Sequence, residues 1–205
     1  MKKNKISKNW LRKKQKDAFF KKSKIYGYRA RSAFKLIEMD NKFKIISSET
    51  NLLDLGSCPG GWSQVASKKI VKGKILAIDI KPMESINNVR FIQKNINDIE
   101  ILNIIRDYFD KKIDVVISDM AANTTGNKDL DSYKTGELCL KAMDIATNSL
   151  NLNGVFLAKM FMGSIFSEIN KKANECFKKV VKYKPLPSRK ESKEIYIYCK
   201  GIRDI

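Results

Sequence analysis

The chain contains no histidine, which excludes Ser-His-Asp catalysis, His-ligated metals and imidazole acid–base chemistry together. Any proton transfer therefore falls to lysine, aspartate, glutamate, tyrosine or cysteine. Cysteine is scarce: Cys58, Cys139, Cys176 and Cys199 are scattered without a C-x-x-C pair, so a reducing compartment is expected rather than a disulfide framework or a zinc knuckle. Four prolines and ten glycines, against 43% hydrophobic residues in 205, describe one globular domain able to bury a core and exclude a disordered chain. Long apolar runs are missing as well. Stretches such as residues 155–158 are far too short to span a bilayer, and the start MKKNKISKNW lacks the apolar segment of a secretory signal. The expectation is an intracellular protein off the membrane, with cytoplasm, nucleolus and mitochondrion left undivided.

Acidic residues are few where basic ones are dense. The chain carries 41 Lys and Arg against 22 Asp and Glu, a formal charge of +19. Fourteen of the cations but only one acid, Asp17, fall within residues 1–35. A second basic stretch, residues 178–193, holds seven cations and Glu191 alone against them. Such density points to a polyanion. We expect residues 1–28 to be a basic RNA-binding arm, with little apolar content to join the core, ahead of a domain at residues 29–205.

The remaining pattern alternates short apolar runs with longer amphipathic ones. Phe34, Leu36, Ile37 and Met39 stand near helical spacing and predict a helix over residues 30–41, with Lys35 on it. Strands are predicted around TNLLDLG, GKILAIDI, VRFIQKNI, IDVVISDM, GVFLAKMF, KVVKYKPL and KEIYIYCKG, with helices between most of them. This is an α/β chain with a mostly parallel seven-stranded sheet, helices on both faces, and an antiparallel last strand reached through KPLPSRKES without a helix. Such a sheet binds ligands at the carboxyl ends of its parallel strands. An antiparallel last strand begins at that same edge.

That rule gathers distant residues. In LLDLGSCPGGWSQVA, residues 52–66, a strand runs into Gly56, Gly60 and Gly61 and then a helix, where glycines let a backbone approach a ligand. The spacing is not G-x-G-x-x-G and no Walker lysine follows, which argues against a nicotinamide oxidoreductase and a nucleotide triphosphatase. Asp79 closes the second strand twenty-three residues after Gly56, where a carboxylate accepts from both hydroxyls of a ribose; capping its own turn is the plainer role. Asp119 ends the next strand and heads MAANTTGNKDLDS, a stretch long enough to be a substrate loop. Lys159 lies inside GVFLAKMF, and a lysine in a buried strand must pair, neutralise or reach a cleft. Glu194 opens the last strand.

The segments YRARSAFKL, LDLGSCPGGWSQ, ISDMAAN, LAKMF and SKEIYI resemble the successive signatures of the RrmJ/FtsJ family of S-adenosylmethionine-dependent RNA ribose 2′-O-methyltransferases. The resemblance covers nearly the whole chain and implies a Rossmann-like methyltransferase fold. It implies a catalytic set of Lys35, Asp119, Lys159 and Glu194, and cofactor contacts from Gly60, Trp62, Asp79 and Asp119, with no metal. Asn95 stands where an acid that reads the adenine is usual, so either Asn95 or Asp98 takes that role; Ala122 replaces a common proline, and Ser57 and Cys58 replace small residues. The implied reaction is methyl transfer from S-adenosyl-L-methionine to a ribose 2′-hydroxyl, with a uridine of large-subunit ribosomal RNA as substrate and the enzyme acting as a monomer. Transfer RNA is the alternative substrate, and a catalytically silent RNA-binding protein the alternative class. Lys159 is the expected base. Lysine serves as a base only when neutral, a form that burial and a neighbouring cation favour and neighbouring carboxylates oppose.

Overall fold

A computed structural model describes residues 17–123, 125–189 and 191–203. Its strands are β1 (Leu52–Leu55), β2 (Ile75–Asp79), β3 (Arg90–Gln93), β4 (Ile113–Ser118), β5 (Leu150–Phe161), β6 (Phe177–Tyr183) and β7 (Glu194–Ile202). They form one sheet in the order β3-β2-β1-β4-β5-β7-β6. The first five pair in parallel, and β7 inserts antiparallel between β5 and β6. Both faces of the central strands are covered, which is why they read as continuous Leu, Ile and Val runs rather than as alternation. On one face Leu53, Leu76 and Val116 join a core completed by α4 (Ile101–Phe109), α5 (Lys128–Ser149) and α6 (Phe166–Cys176). On the other, Leu52, Ile75 and Ile117 pack with α2 (Ala33–Phe43) and α3 (Gly61–Lys69). The chain runs outward from β1 to β3, then returns to lay β4 on the other side of β1. The carboxyl ends of β1 and β4 therefore flank the point where ligands bind in such sheets.

Three expectations need correction. The helix predicted over residues 30–41 spans Ala33–Phe43, because Ala30, Arg31 and Ser32 form a tight turn whose carbonyls accept from the N–H groups of Ala33, Phe34 and Lys35. The loop after Asp119 is shorter than MAANTTGNKDLDS suggested. Asn127 caps α5 by accepting from the N–H groups of Asp129 and Leu130, and Asp129 and Asp131 in the first turn favour the positive end of the helix dipole. Most of the basic arm, residues 1–16, lies outside the described residues, but from Asp17 onward it is folded. Asp17 caps α1 (Ala18–Ile25), and the rings of Phe19, Tyr26 and Tyr28 stand 5.8, 6.2 and 5.6 Å from that of Phe34 on α2. The aromatic content here was underrated, since three rings closing on one neighbour suffice to dock a two-turn helix.

Helix α5 meets the start of α6 at Gly136, whose missing side chain lets Ile165 in. A Cβ there would stand 2.0 Å from Ile165 Cγ2, and Ile165, 4% exposed, is itself part of the core. Gly136→Ala gains up to about 1 kcal/mol of helix propensity but overpacks the contact at a cost of ~1–3 kcal/mol. We expect a lower urea midpoint with an unchanged m-value. A raised midpoint would mean that Ile165 yields.

Candidate active site

At the carboxyl edge the chain leaves β1 through a turn at residues 56–61 that leads into α3. Gly56 takes φ +75° there and Gly60 +106°, left-handed backbone that glycine adopts without strain. Space is limiting too, since a Cβ on Gly56 would meet Met120 Cγ at 2.0 Å. Beside this turn opens a cleft of about 370 Å³, lined by Gly56, Cys58, Asp79, Asn95, Asp119 and Met120 among others. Asp79 caps its own turn, the plainer role, and stands in the wall of the cleft. Its carboxylate accepts from the N–H groups of Cys58 and Lys81, both at 2.8 Å, fixing the turns on either side, while it also lines the cleft. Asn95 lines the cleft and Asp98 does not: Asp98 accepts from Glu100 N–H at 3.0 Å and lies 3.4 Å from Lys94 Nζ. A smaller cavity of about 30 Å³ lies under the turn, lined by Asp54, Ser57, Gly61 and Trp62, and it shares Gly56 and Asp119 with the cleft. Gly60 borders neither space. The Trp62 side chain is buried, its Nε1–H donating to Ser32 O at 2.9 Å and its ring 5.8 Å from that of Tyr196.

The four residues expected to act together are brought together from four elements. Antiparallel pairing of β5 with β7 sets Lys159 opposite Tyr196 and Phe161 opposite Glu194. Asp119 follows Ser118, which pairs with Ala158, so Asp119 arrives beside Lys159. Lys159 Nζ donates to the Asp119 carbonyl at 2.5 Å and lies 3.2 Å from its carboxylate. Lys35, from α2, donates to Glu194 Oε1 at 2.6 Å and to the Tyr196 hydroxyl at 3.2 Å. The Tyr196 hydroxyl in turn donates to Asp119 Oδ1 at 2.6 Å, and Ser188 Oγ donates to Glu194 at 2.7 Å. One connected network results. Burial pushes the Asp119 carboxyl up, but Lys159, Lys35 and the hydrogen bonds from Tyr196 and Lys159 outweigh it and hold the group below its ordinary value. Burial, with Asp119 and Glu194 adding to it, pushes the Tyr196 phenol well up, so this hydroxyl stays a neutral donor.

Tyr196 was missed, although its signal was present: it follows Glu194 by two residues in a strand and so shares its face. Asp54 was missed as well. An acid inside LLDLG poses the same problem as a lysine inside GVFLAKMF. Burial, with Asp119 and Asp79 adding to it against the hydrogen bond from Ser63, raises its carboxyl to about 7. On the far side of the network from the cleft, an open pocket of about 220 Å³ is lined by Arg31, Lys35, Arg189, Ser192 and Glu194. Arg31 pairs with Asp17, and its guanidinium also donates to Pro187 O. The second basic stretch divides accordingly. Arg189 serves this pocket, while Lys178, Lys179 and Lys182 are exposed on β6, the edge strand, where lysines block sheet-to-sheet pairing.

A sheet wound this way, with a glycine turn after β1, an acid ending β2 and a Lys–Asp–Lys–Glu network at the mouth, has the build of a Rossmann-like methyltransferase. The FtsJ-like methyltransferase model matches residues 28–202. A curated protein of Pelagibacter ubique named Ribosomal RNA large subunit methyltransferase E is 48% identical over 99% of this chain and 100% of its own length. Its namesake from the Wolbachia of Brugia malayi is 44% identical, over 95% of this chain and 88% of its own. Among solved structures, a ribosomal RNA methyltransferase of Plasmodium falciparum superposes with a TM-score of 0.76 at 35% identity, covering 85% of this chain and 98% of that one. The Methanococcus jannaschii fibrillarin pre-rRNA processing protein, at a TM-score of 0.57 and 15% identity over 78% of this chain and 70% of that one, shares the fold. The chain belongs to the FtsJ-like methyltransferase family.

The family's cofactor is S-adenosylmethionine, and the site fits it. The cleft offers a carboxylate for ribose hydroxyls at Asp79 and an amide at Asn95 for an adenine edge. Under the turn, Ser57 Oγ is buried with no hydrogen-bond partner among the described residues.

The buried acid carries a consequence for stability. Asp54 is held near 7 in the fold against 3.8 ordinarily, so between those values the folded chain binds more protons than the unfolded one. Its contribution is full below about pH 4 and fades as pH rises to 7, by on the order of 3–4 kcal/mol. Asp54→Asn removes this dependence. Denaturant unfolding of both proteins from pH 4 to 8 checks it, and parallel stability curves would refute it.

Proposed function

We propose that this chain transfers a methyl group from S-adenosylmethionine to the 2′-hydroxyl of a ribose, on a uridine of large-subunit ribosomal RNA. The observation that carries the reading is the network of Lys35, Asp119, Lys159 and Glu194, which stands between an adenosine-sized cleft and an open, arginine-lined pocket. When bound, S-adenosylmethionine supplies a methyl carbon on a sulfonium, open to in-line displacement by an oxygen. The chain must then align that oxygen and remove its proton. Asp119, which borders the cleft, fixes Lys159, whose ammonium first gives a proton to solvent; the neutral amine then takes the hydroxyl proton on Nζ as the methyl group moves to the oxygen. Lys35, held by Glu194 and Tyr196, orients the ribose from the pocket side. Arg31 and Arg189 receive the flanking phosphates, for which guanidinium forks are suited. The ribosomal substrate follows the names of the relatives, and the cationic pocket fits any RNA backbone.

Lys159→Ala should abolish transfer while leaving S-adenosylmethionine affinity within a few fold, since this side chain serves the hydroxyl. Lys159→Arg should fail too, because a guanidinium does not give up its proton in proteins. Single-turnover transfer of labelled methyl to ribosomal RNA, beside calorimetric titration of the cofactor, tests the reading. An arginine variant with near-normal rate would make position 159 a fixed positive charge, and failure to bind S-adenosylmethionine would overturn the assignment.

We also propose that the basic arm grips RNA phosphates. Residues 1–16 hold eight cations and no acid, and Asp17, the residue that follows them, pairs with Arg31 of the arginine-lined pocket. Deleting residues 1–16 should leave stability and cofactor affinity unchanged and weaken matched and unrelated RNAs alike. Loss of three or four phosphate contacts would flatten the plot of log affinity against log salt by roughly 2–4 units. Unchanged affinity and slope would leave the arm without an RNA role.

A further inference from the structure

Arg29 lines neither the cleft nor the small cavity under the glycine turn, yet its guanidinium is heavily engaged. Nη1 donates to Pro59 O at 3.3 Å and to Glu84 O at 2.8 Å, and Nη2 donates to Ser85 O at 2.9 Å. Three main-chain carbonyls from two segments thus converge on one planar fork, a task for which arginine, with five donors in fixed directions, is suited. One segment is the glycine turn at residues 56–61. The other is the loop at residues 80–89, between β2 and β3. These segments bring Cys58 on one side, and Ile80 and Lys81 on the other, into the wall of the cleft. Asp79 stands between them and accepts from an amide of each, Cys58 and Lys81. The loop has no helix or strand of its own, and of residues 80–88 only Met83 and Ile86 are not exposed. Both side chains reach Gly60. A Cβ there would stand 2.8 Å from Ile86 Cδ1, 3.0 Å from Met83 Sδ and 3.0 Å from Arg29 Nη1, so the bare Cα of Gly60 makes room for the loop and for the guanidinium. Arg29 is itself held from α3, where Gln64 Oε1 accepts from its N–H at 2.8 Å and Gln64 Nε2 donates to Gly27 O at 3.1 Å. The Glu84 carboxylate, 3.7 Å from Nη2, is 92% exposed and adds little.

We propose that Arg29 is a positioning residue of the cofactor cleft: by clasping the glycine turn to the β2–β3 loop through their carbonyls, it keeps Asp79, Ile80 and Lys81 at the spacing that receives the adenosine end. The inference rests on the S-adenosylmethionine reading above and adds to it a residue that touches no ligand. A loop left free must be ordered when the ligand arrives, and the cost of ordering is subtracted from affinity; a clasp made beforehand removes that cost. The effect therefore falls on binding of the adenosine, not on the transfer step, which Lys159 and Lys35 serve. Gly60 acquires a role by the same geometry, as the seat of the clasp. Lysine is no substitute for Arg29, since a single ammonium at a point cannot bridge the two segments as a fork does.

Calorimetric titration of the full chain with S-adenosylhomocysteine, and with 5′-methylthioadenosine, which keeps the adenosine but has no amino-acid end, tests the clasp. Arg29→Ala should weaken both ligands by the same factor, about tenfold, and Arg29→Lys should recover little of the loss. In methyl transfer the KM for S-adenosylmethionine should rise by that factor while kcat stays within about twofold, the pattern of lost binding rather than lost chemistry. Glu84→Ala should leave both affinities unchanged, because the carbonyls remain. A lowered urea midpoint in Arg29→Ala with unchanged affinities would make Arg29 a tie of the fold alone and overturn the proposal. So would a loss confined to S-adenosylhomocysteine, or an equal loss in Glu84→Ala, which would give the role to the ion pair. Where Arg29→Ala fails to fold, Arg29→Lys decides, and wild-type affinities in it would overturn the clasp while leaving the cofactor assignment intact. Failure of the wild-type chain to bind either ligand would instead overturn the assignment and the clasp with it.

Discussion

The lysine network at the carboxyl edge of this sheet depends on one half-buried carboxylate, that of Asp119. It is bound by Lys159 from β5 and by Tyr196 from β7, and through the Tyr196 hydroxyl it is joined to Lys35 on α2 and so to Glu194. Two ammonium groups and two carboxylates thus occupy one largely buried site with no net formal charge. Taking those charges from water costs several kcal/mol per ion, and the cost is recovered only while each keeps its partner. Removing one member leaves another unpaired, so the network is more fragile than any single bond in it. Four secondary-structure elements are fastened by the same contacts that arrange the chemistry, and the stability of this edge and its geometry are therefore hard to vary separately.

The network also explains why β7 runs against its neighbours. A parallel strand beside β5 would bring its carboxyl end to this edge. The antiparallel strand brings its beginning, so that Glu194 and Tyr196 face Phe161 and Lys159 across the ladder. Two residues apart on β7, they share one face, and that face meets the amino-terminal end of α2, where Lys35 rides. The turn at residues 30–32 that delays α2 matters here as well. It places Arg31 outside the helix, free to reach both Asp17 and Pro187 O, and it gives Ser32 O to the Trp62 indole.

Much of this was legible beforehand, for definable reasons. Strand-and-helix alternation fixes a parallel sheet, the switch-point rule then fixes the edge, and Asp79, Asp119, Lys159 and Glu194 fall on it by their positions in strands. What could not be read was whatever depends on a partner. Asp79 had two roles in prospect, and only the positions of the Cys58 and Lys81 amides show that it fills the capping one. Asn95 and Asp98 were equivalent candidates until the turn of the chain left one in the cleft and the other against Lys94. The start of α5 was missed because Asn127 reads as loop until its cap bonds are seen, and α1 because a charge count hides three aromatic rings.

Two acids, two residues and one strand apart at this edge, show how environment divides one chemistry into two. Asp54 is buried, Asp119 half-buried, and both border the small cavity. Asp119 meets two lysines and a tyrosine hydroxyl, and burial is overcome, so it is held as a carboxylate. Asp54 meets one serine hydroxyl and two other acids, and burial prevails, so near neutrality it exchanges a proton. Environments that push like groups apart in this way commonly mark a division of labour at a site. In this edge the ionised acid holds the lysine network in place before any ligand arrives.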